Sequence, residues 1–241
     1  MNSHGHKWTD AQVERARKPS YGKIHIIQPA LISLLGNVKQ KNILELGCGS
    51  GYWLRILSDK GAKCTGLDIS ENQIKVAKEL NPENKITYLV ADASKKINLK
   101  PNSFGIILLE KVLLEIPDLS KIKAIFKEAY RLLKKTGFLI VSEVHPFAPS
   151  EDFPNLEVEK DYNYFKSGAP ISITATRPDG THIKWQDFHW TLEDLITSMN
   201  KAGFKIAKLL EPRPDKEVLK KVPYLEYRKD KPLAILIKAE K

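Results

Sequence analysis

Residues 42–53 read N-I-L-E-L-G-C-G-S-G-Y-W, and this stretch decides the fold of the chain. A short apolar run leads into glycines at three alternating positions, Gly47, Gly49 and Gly51, and an amphipathic segment follows over residues 52–59. The pattern predicts a strand, a tight glycine loop and a helix. Such a loop lets a ligand approach bare backbone, and the helix after it directs its N-terminus at that ligand.

The glycine spacing separates this loop from two common nucleotide-binding loops. A dinucleotide fingerprint needs G-x-G-x-x-G, whereas here Tyr52 stands where the third glycine would be. A P-loop needs a lysine after its last glycine, and no lysine follows Gly51. Both kinds of loop are therefore excluded, and a glycine-rich turn without a ligand stays open as the alternative to a binding loop.

An acidic residue ends the second predicted strand, residues 63–67. Asp68 stands 21 positions after Gly47, close to the spacing at which a second-strand carboxylate reaches a ribose diol. Ile69, next in the chain, is placed to pack on an adenine face. Ser70 is the predicted N-cap of the following helix, which leaves Asp68 available for a ligand.

The third and fourth predicted strands, residues 86–90 and 104–109, end near Asp92 and Glu110. The continuous apolar run of the fourth strand is typical of a parallel strand covered on both faces. A helix, a Lys-Lys-Thr-Gly turn and a fifth strand are then expected at residues 119–133, 134–137 and 138–142. Because the carboxyl ends of parallel strands meet at one sheet edge, the glycine loop and the three acids are expected to lie there together.

The run E-L-G-C-G-S-G, with these acids after it, resembles the class I S-adenosylmethionine-dependent methyltransferases of the small-molecule, type 11-like kind. The resemblance implies an α/β fold, with a Rossmann-like, seven-stranded, mostly parallel sheet, helices on both faces, and a β-hairpin and loop lid over the acceptor site. It implies S-adenosylmethionine as cofactor, with Glu45 near its amino group, Asp68 on its ribose and Asp92 on its adenine amino group. The full set of implied cofactor contacts is Glu45, Gly47, Cys48, Gly49, Gly51, Asp68, Ile69, Asp92, Ala93 and Glu110.

The chain divides into four predicted regions. They are an N-terminal helical cap over residues 1–40, a cofactor-binding core over 41–145, an acceptor loop and hairpin insertion over 146–190, and a C-terminal helix with closing strands over 191–241. The cap is expected to hold helices at 9–18 and 23–35, the second broken near Pro29. Alternating residues 171–176 and 181–186 around R-P-D-G predict the hairpin.

After the hairpin, Thr191 opens a predicted helix with a capping pattern to Asp194. Strands at 205–210 and 233–239 are expected to close the sheet.

Three residues are candidates for catalysis. His145 leaves the fifth strand where a methyl acceptor would lie, and His189 matches a histidine that often faces the acceptor in the family. Tyr21 belongs, with Trp8 and His25, to a segment that folds over the cofactor in many family members. For these side chains, simple packing against the domain is the alternative. The residues expected to wall an apolar acceptor pocket are Tyr162, Tyr164 and Phe165.

The predicted activity is transfer of a methyl group from S-adenosylmethionine to a small, partly apolar or aromatic metabolite by in-line displacement. The alternatives are an RNA methyltransferase, acting for instance on tRNA, and a non-catalytic S-adenosylmethionine-binding regulator. The 39 basic residues against 29 acids give a formal net charge of +10, which invites an RNA partner. The lysines are spread thinly, however, and a solvated lysine-rich surface is the simpler explanation.

Other whole-chain features favour a cytoplasmic monomer or homodimer with a small-molecule partner. The sequence contains no apolar run long enough for a transmembrane helix, and residues 1–10 lack a secretory h-region. The two cysteines, Cys48 and Cys64, do not have metal-ligand spacing, so no metal site is expected.

Overall fold

The computed structural model describes residues 20–83, 85–148, 156–158, 162–176, 180 and 182–241. A π-helical turn, Lys23–Ile27, runs directly into the first α-helix. The α-helices are α1 (Gln28–Leu35), α2 (Tyr52–Asp59), α3 (Glu71–Glu79), α4 (Leu119–Leu132), α5 (Leu192–Lys201) and α6 (Lys216–Lys221). In the described ranges, 3-10 helices cover Leu113–Glu115 and Pro223–Arg228.

The strands form two sheets. The strands in chain order are β1 (Asn42–Leu46), β2 (Lys63–Asp68), β3 (Thr87–Val90), β4 (Phe104–Glu110), β5 (Leu133–Val144), β6 (Leu156–Val158), β7 (Pro170–Thr176), β8 (His182–Phe188), β9 (Lys205–Leu210) and β10 (Ala234–Glu240). The large sheet has seven strands in the order β3-β2-β1-β4-β5-β10-β9, and β6-β7-β8 form the small one. The first five strands of the large sheet are parallel, and β10 is antiparallel to both of its neighbours. The predicted seven-stranded, mostly parallel sheet is therefore confirmed.

Helices cover both faces of this sheet, and alternate residues of the central strands face opposite layers. Ile43 of β1 packs in one apolar cluster with α1 and α2, while Leu44 packs in the other with α4 and α5. In β4, Ile106 and Ile107 divide between the two clusters in the same way. Burying each such aliphatic side chain contributes about 1.5–3 kcal/mol, so the alternation fixes both the strand register and the layer order.

The strand order of the large sheet decides which loops lie next to one another. Since β1 lies between β2 and β4, the segments after these three strands emerge side by side. The order of strands changes direction at β1, which is where open parallel sheets form a ligand crevice.

Two predictions need correction. The Lys-Lys-Thr-Gly segment was expected to be a turn, but β5 begins at Leu133, directly after α4, and includes these residues. The pairing with β4 passes from Phe104–Leu133 to Ile106–Phe138, so residues 134–137 form an irregularity within β5 rather than a reversal of the chain. The insertion also contains a third strand, β6, beside the predicted hairpin, which was not anticipated.

The N-terminal segment matches its prediction in part. Pro29 lies in the first turn of α1, where a missing N–H has no cost, and the π-helical turn ends just before it. The predicted helix at residues 9–18 and Trp8 lie outside the described residues. The Arg-Pro-Asp part of the hairpin turn also lies outside them.

The small sheet is anchored on the segment that follows β4. The Trp190 indole Nε1 donates to the Ile116 carbonyl over 3.1 Å, and a Cβ on Gly168 would stand 3.2 Å from the Trp190 ring. Thr191 then caps α5 in a capping box with Asp194, as predicted. The β6-β7-β8 sheet and the residues that join it to α5 are called the lid below.

Candidate functional site

The glycine loop between β1 and α2 has a backbone that side chains would disturb. Gly47, Gly49 and Gly51 all have left-handed φ angles, +74°, +51° and +74°. A Cβ on Gly51 would stand 2.2 Å from the Tyr88 hydroxyl oxygen, and one on Gly47 would stand 2.5 Å from a Val112 methyl. Glycine is thus required at both positions by conformation and by space, so the loop forms a backbone-lined cradle.

Asp68 lies at the centre of this cradle. The backbone N–H of Gly49 donates to its Oδ2 over 2.8 Å, and the N–H of Ser70 donates to its Oδ1 over 2.9 Å. Burial raises the pKa of Asp68, and these backbone hydrogen bonds oppose the rise. Ser70 caps α3, as predicted. Ile69 adds a third backbone hydrogen bond, so of the roughly four lone-pair sites of the carboxylate at least one stays open for a ligand.

Two cradle neighbours of Asp68 differ in exposure. Ile69 is 57% exposed, which is unusual for a large apolar side chain at the end of a central strand and suits a flat apolar ligand. The Cys48 thiol instead is buried under the loop near Gly66, and burial raises its pKa. Cys48 can therefore offer its backbone to a ligand, while its thiol stays protonated.

A charged cluster lies beside the loop on the α1 and α2 face of the sheet. Lys23 Nζ donates to Glu110 Oε2 over 3.0 Å, and Glu45 lies close enough for its pKa to be affected by both partners. Burial first, and then Glu110, raises the pKa of Glu45, while Lys23 lowers it. Glu45 Oε2 and Glu110 Oε1 are buried and have no hydrogen-bond partner among the described residues. Two such oxygens fit a cationic ligand group.

Asp92 follows β3 beside Asp68, since the Ala91 N–H donates to the Asp68 carbonyl over 2.9 Å. The Ser94 N–H and hydroxyl both donate to Asp92 Oδ1. Partial burial alone would raise the pKa of Asp92, but the bonds from Ser94 and the charge of Lys95 outweigh it, so the pKa is lowered. Asp92 Oδ2 and the half-buried Ala93 remain at the same sheet edge as the glycine loop. The structure thus brings the glycine loop, Asp68 and Asp92 together at one edge of the sheet.

Two acids that sequence reasoning did not single out also lie at this edge. Glu143, near the end of β5, accepts from the N–H groups of Val112 and Leu113 through Oε1, while its Oε2 has no described partner. Burial raises the pKa of Glu143 to about 8. The Glu115 residue is exposed, yet the protein atoms crowded around its carboxyl, and then the charges of Asp187, Asp68 and Glu143, raise its pKa to about 8. Their only sequence signal was their position after β4 and at the end of β5.

His189 is buried in the lid, and one of its ring nitrogens is hydrogen-bonded to the protein backbone. Its Nε2 donates to the Tyr164 carbonyl over 2.7 Å, and its Nδ1 lies 3.4 Å from the Tyr162 hydroxyl. Burial lowers the pKa of His189, so the ring is neutral at pH 7 with the proton on Nε2. The Tyr162 hydroxyl donates to the Pro146 carbonyl, which leaves the His189 Nδ1 lone pair unused.

His145 uses both of its ring nitrogens within the protein. Its Nε2 lies 2.8 Å from Glu211 Oε1, and its Nδ1 accepts from the Phe147 N–H over 3.2 Å. The side chain is 3% exposed. This arrangement ties the end of β5 to the segment after β9 and leaves no free lone pair on the ring.

Tyr21 lies elsewhere, at the N-terminal segment. It is 59% exposed and stacks on His25 with ring centroids 6.2 Å apart. Phe147, three residues after β5, stacks on Tyr164, which lies before β7, with ring centroids 4.4 Å apart, whereas Phe165 is 88% exposed. Tyr164 thus belongs to a stacked aromatic pair, whereas Phe165 turns towards solvent; their role as a pocket wall stays a prediction.

Among the described residues, no group of three or more His, Cys, Asp or Glu side chains is placed to hold a metal ion. No helix in the described part of the chain is long and apolar enough to span a membrane.

The fold and this cradle match known proteins. Residues 44–141 match the family described as "Methyltransferase domain". Over these residues the chain is similar to that family, which supports its reading as an S-adenosylmethionine-dependent methyltransferase.

Three similar proteins show the range of the family. The ubiquinone biosynthesis O-methyltransferase of Nitrosomonas europaea is 25% identical over 73% of this chain and 69% of its own. The N-demethylindolmycin N-methyltransferase of Streptomyces griseus is 26% identical over 67% of this chain and 68% of its own. A crystal structure of an S-adenosylmethionine-dependent methyltransferase from Mesorhizobium loti is 24% identical, with a TM-score of 0.71 over 88% of this chain and 96% of its own. The last of these supports the fold.

Proposed function

We propose that this enzyme methylates a small, partly apolar or aromatic metabolite held between the cofactor and the lid. The main support for this proposal is the position of the lid. The Trp190 indole donates to the Ile116 carbonyl, which places the lid against the segment after β4, beside the glycine loop. Two relatives named for small-molecule O- and N-methylation support this choice of acceptor. The stacked Phe147 and Tyr164 rings supply an apolar surface for it.

S-adenosylmethionine, when bound, supplies a methyl group already activated on a sulfonium. The remaining task of the protein is to hold donor and acceptor in line and to exclude water. Asp68 is proposed to accept from the ribose hydroxyls, Ile69 to cover the adenine and Asp92 to take its amino group. Glu45 and Glu110, with their unpartnered buried oxygens, are proposed to receive the cofactor ammonium.

Removal of a proton from the acceptor would require a base near the methyl group. His189 keeps a free Nδ1 lone pair, whereas both His145 nitrogens are engaged, so His189 is the better base of the two. Tyr21 stays a proposal as a covering residue rather than a base.

The direct test is transfer of a labelled methyl group from S-adenosylmethionine into fractionated metabolites and RNA of the host. Label in a small-molecule fraction, lost with Asp68→Ala, is the expected result. Label confined to RNA would replace the proposed acceptor with the alternative that the +10 charge favours. Cofactor binding without transfer to any fraction would instead support a regulator.

We propose one role for each of the four predicted regions. Residues 1–40 would cover the cofactor, 41–145 bind it, 146–190 enclose the acceptor, and 191–241 complete the sheet. A monomer or a homodimer can carry the whole arrangement.

A further inference from the structure

Acidic side chains from three elements come together where the lid contacts the core. The 3-10 helix Leu113–Glu115 contacts both β5 and the lid strand β8. Glu115 ends this helix, Glu143 lies near the end of β5, and Asp187 lies near the end of β8. The charges that act on Glu115 are those of Asp187, Asp68 and Glu143, and all three are negative. Like charges this close repel, and a cation between them would relieve the repulsion.

Glu143 keeps an unused acceptor in this cluster. The residue is 4% exposed, and its Oε1 accepts from the Val112 and Leu113 N–H groups at the start of the 3-10 helix. Its Oε2 is buried without a described partner, and the charge of Asp187 in the lid acts on the same carboxyl group. A buried acceptor that no described donor satisfies, within reach of the lid, points to a donor that arrives with a ligand.

The strand β8 contributes its acid together with an aromatic ring. Trp185 and Asp187 are half-buried, while Lys184 and Gln186 are exposed, as expected for alternate residues on opposite faces of a strand. The Trp185 indole Nε1 donates to Asp187 Oδ2 over 3.1 Å, which holds the ring beside the carboxylate. An acid next to an aromatic ring attracts an organic ammonium through its charge and through the ring face.

Glu115 is the acid of this cluster that a ligand can reach most easily. The residue is exposed, whereas Glu143 is buried and Asp187 is half-buried and already accepts from Trp185. An acceptor bearing a carboxylate or a phosphate would add negative charge to this region, which disfavours its binding. An ammonium group would instead gain from every acid around it, so the electrostatics select among acceptors of similar shape.

We propose that the methyl acceptor carries an ammonium group, as a protonated amine does, and that Glu115 binds this group while Asp187 and Glu143 strengthen the attraction. Glu115 is thereby a specificity-determining residue that favours amines over acids and neutral metabolites. This assignment rests on the small-molecule acceptor proposed above and narrows its chemical class. It concerns recognition of the acceptor and adds no step to methyl transfer.

Separation of the possible acceptors by charge tests this assignment. Small molecules of the host are filtered away from RNA and divided on a cation exchanger at about pH 5, where amines are protonated. Each pool, and the RNA, is then incubated with the enzyme and S-adenosylmethionine, and release of S-adenosylhomocysteine measures transfer. The retained, cationic pool is expected to support transfer, and the unretained pool roughly tenfold less.

Two variants connect the charge preference to Glu115. Glu115→Gln is expected to lower transfer with the diluted cationic pool roughly tenfold, because a charge-assisted contact becomes a neutral one. Its affinity for S-adenosylhomocysteine, measured by calorimetry, should stay within about twofold of the wild type. The matched control is Glu240→Gln, since Glu240 is exposed and pairs with Phe138 at the opposite edge of the sheet. This control should behave as the wild type in both assays.

Transfer with the unretained small molecules at least equal to that with the cationic pool would overturn the assignment, as would a Glu115→Gln variant with unchanged transfer. Equal losses of transfer and of S-adenosylhomocysteine affinity in Glu115→Gln would also overturn it, because they indicate a structural role. Transfer to RNA alone, or to no pool, would defeat the small-molecule acceptor itself, and the ammonium with it. The failure of the narrower assignment is therefore distinct from the failure of the proposed function.

Discussion

At the scale of single residues, the glycine loop combines conformational and spatial constraints. Gly51→Ala is expected to destabilise the protein by roughly 2 kcal/mol or more, because left-handed φ and a forced contact with Tyr88 add together. Thermal unfolding of the variant measures this loss. Adding Tyr88→Phe, which removes the nearest atom of that contact, should recover part of the stability. No recovery would show that backbone strain alone sets the cost.

Glu143 makes stability depend on pH. Its folded pKa of about 8 is raised above the unfolded value, so the folded state binds the extra proton between about pH 4.5 and pH 8. Stability is therefore full below this window and falls as the pH rises through it. At roughly 1.4 kcal/mol for each pKa unit, the loss between pH 5 and pH 8 is about 3 kcal/mol.

Glu143→Gln tests this pH dependence. The glutamine carbonyl can still accept from Val112 and Leu113, but it carries no charge. Denaturant unfolding should show a flatter pH profile for the variant and higher stability at pH 8, with little change at pH 5. A wild-type profile that rises from pH 5 to pH 8 and is unaffected by the substitution would contradict the assignment.

Asp68 could be placed at the site from the sequence, whereas Glu143 could not. Asp68 has a fixed distance from the glycine loop along the chain, so its place at the site followed from spacing. Glu143 and Glu115 acquire their environments only from tertiary neighbours such as Asp187 in the lid. The two histidines were singled out by position, but apart from the Phe147 N–H their hydrogen-bond partners lie 25 to 66 residues away along the chain.

At the scale of elements, periodicity and capping predicted most of the α/β core to within a few residues. Strong apolar runs and a capping residue determined β4 and α3, because local and tertiary preferences agree there. The turn predicted at the Lys-Lys-Thr-Gly segment was wrong, because Leu133 before it and Phe138 after it both pair with β4 and keep the segment within one strand. The strand β6 was not foreseen, since three residues are too few to show the alternation that identifies a strand.

The capping box of α5 connects helix stability to the lid. Thr191→Ala removes the hydroxyl that accepts from the Asp194 N–H over 3.1 Å, and should cost about 1 kcal/mol of stability. Thr191→Ser keeps the oxygen and is the matched control, with a loss of at most a few tenths. The comparison requires only thermal melts of the three proteins. Equal losses for both variants would assign the effect to packing of the threonine methyl.

At the scale of the whole molecule, the sheet brings distant segments to one edge. Lys23, the glycine loop, the acids after β2, β3 and β4, and the lid all converge where the strand order reverses at β1. Each segment alone is an ordinary loop or turn. Their joint position, set by two apolar layers on the sheet, creates a cradle that needs a ligand to satisfy its buried oxygens.

Ligand binding should therefore stabilise the entire chain, and selectively. At a concentration of 100 times its dissociation constant, S-adenosylmethionine or S-adenosylhomocysteine should add about 2.7 kcal/mol, a rise of roughly 5–10 °C in the unfolding temperature. NAD and ATP should give no shift, because the loop lacks the third dinucleotide glycine and the P-loop lysine. Differential scanning fluorimetry measures all four ligands side by side. Asp68→Ala supplies the control, since it should abolish the shift by adenosyl ligands while the protein still melts cooperatively. A shift with NAD equal to that with S-adenosylmethionine would refute the selectivity assigned to the glycine spacing.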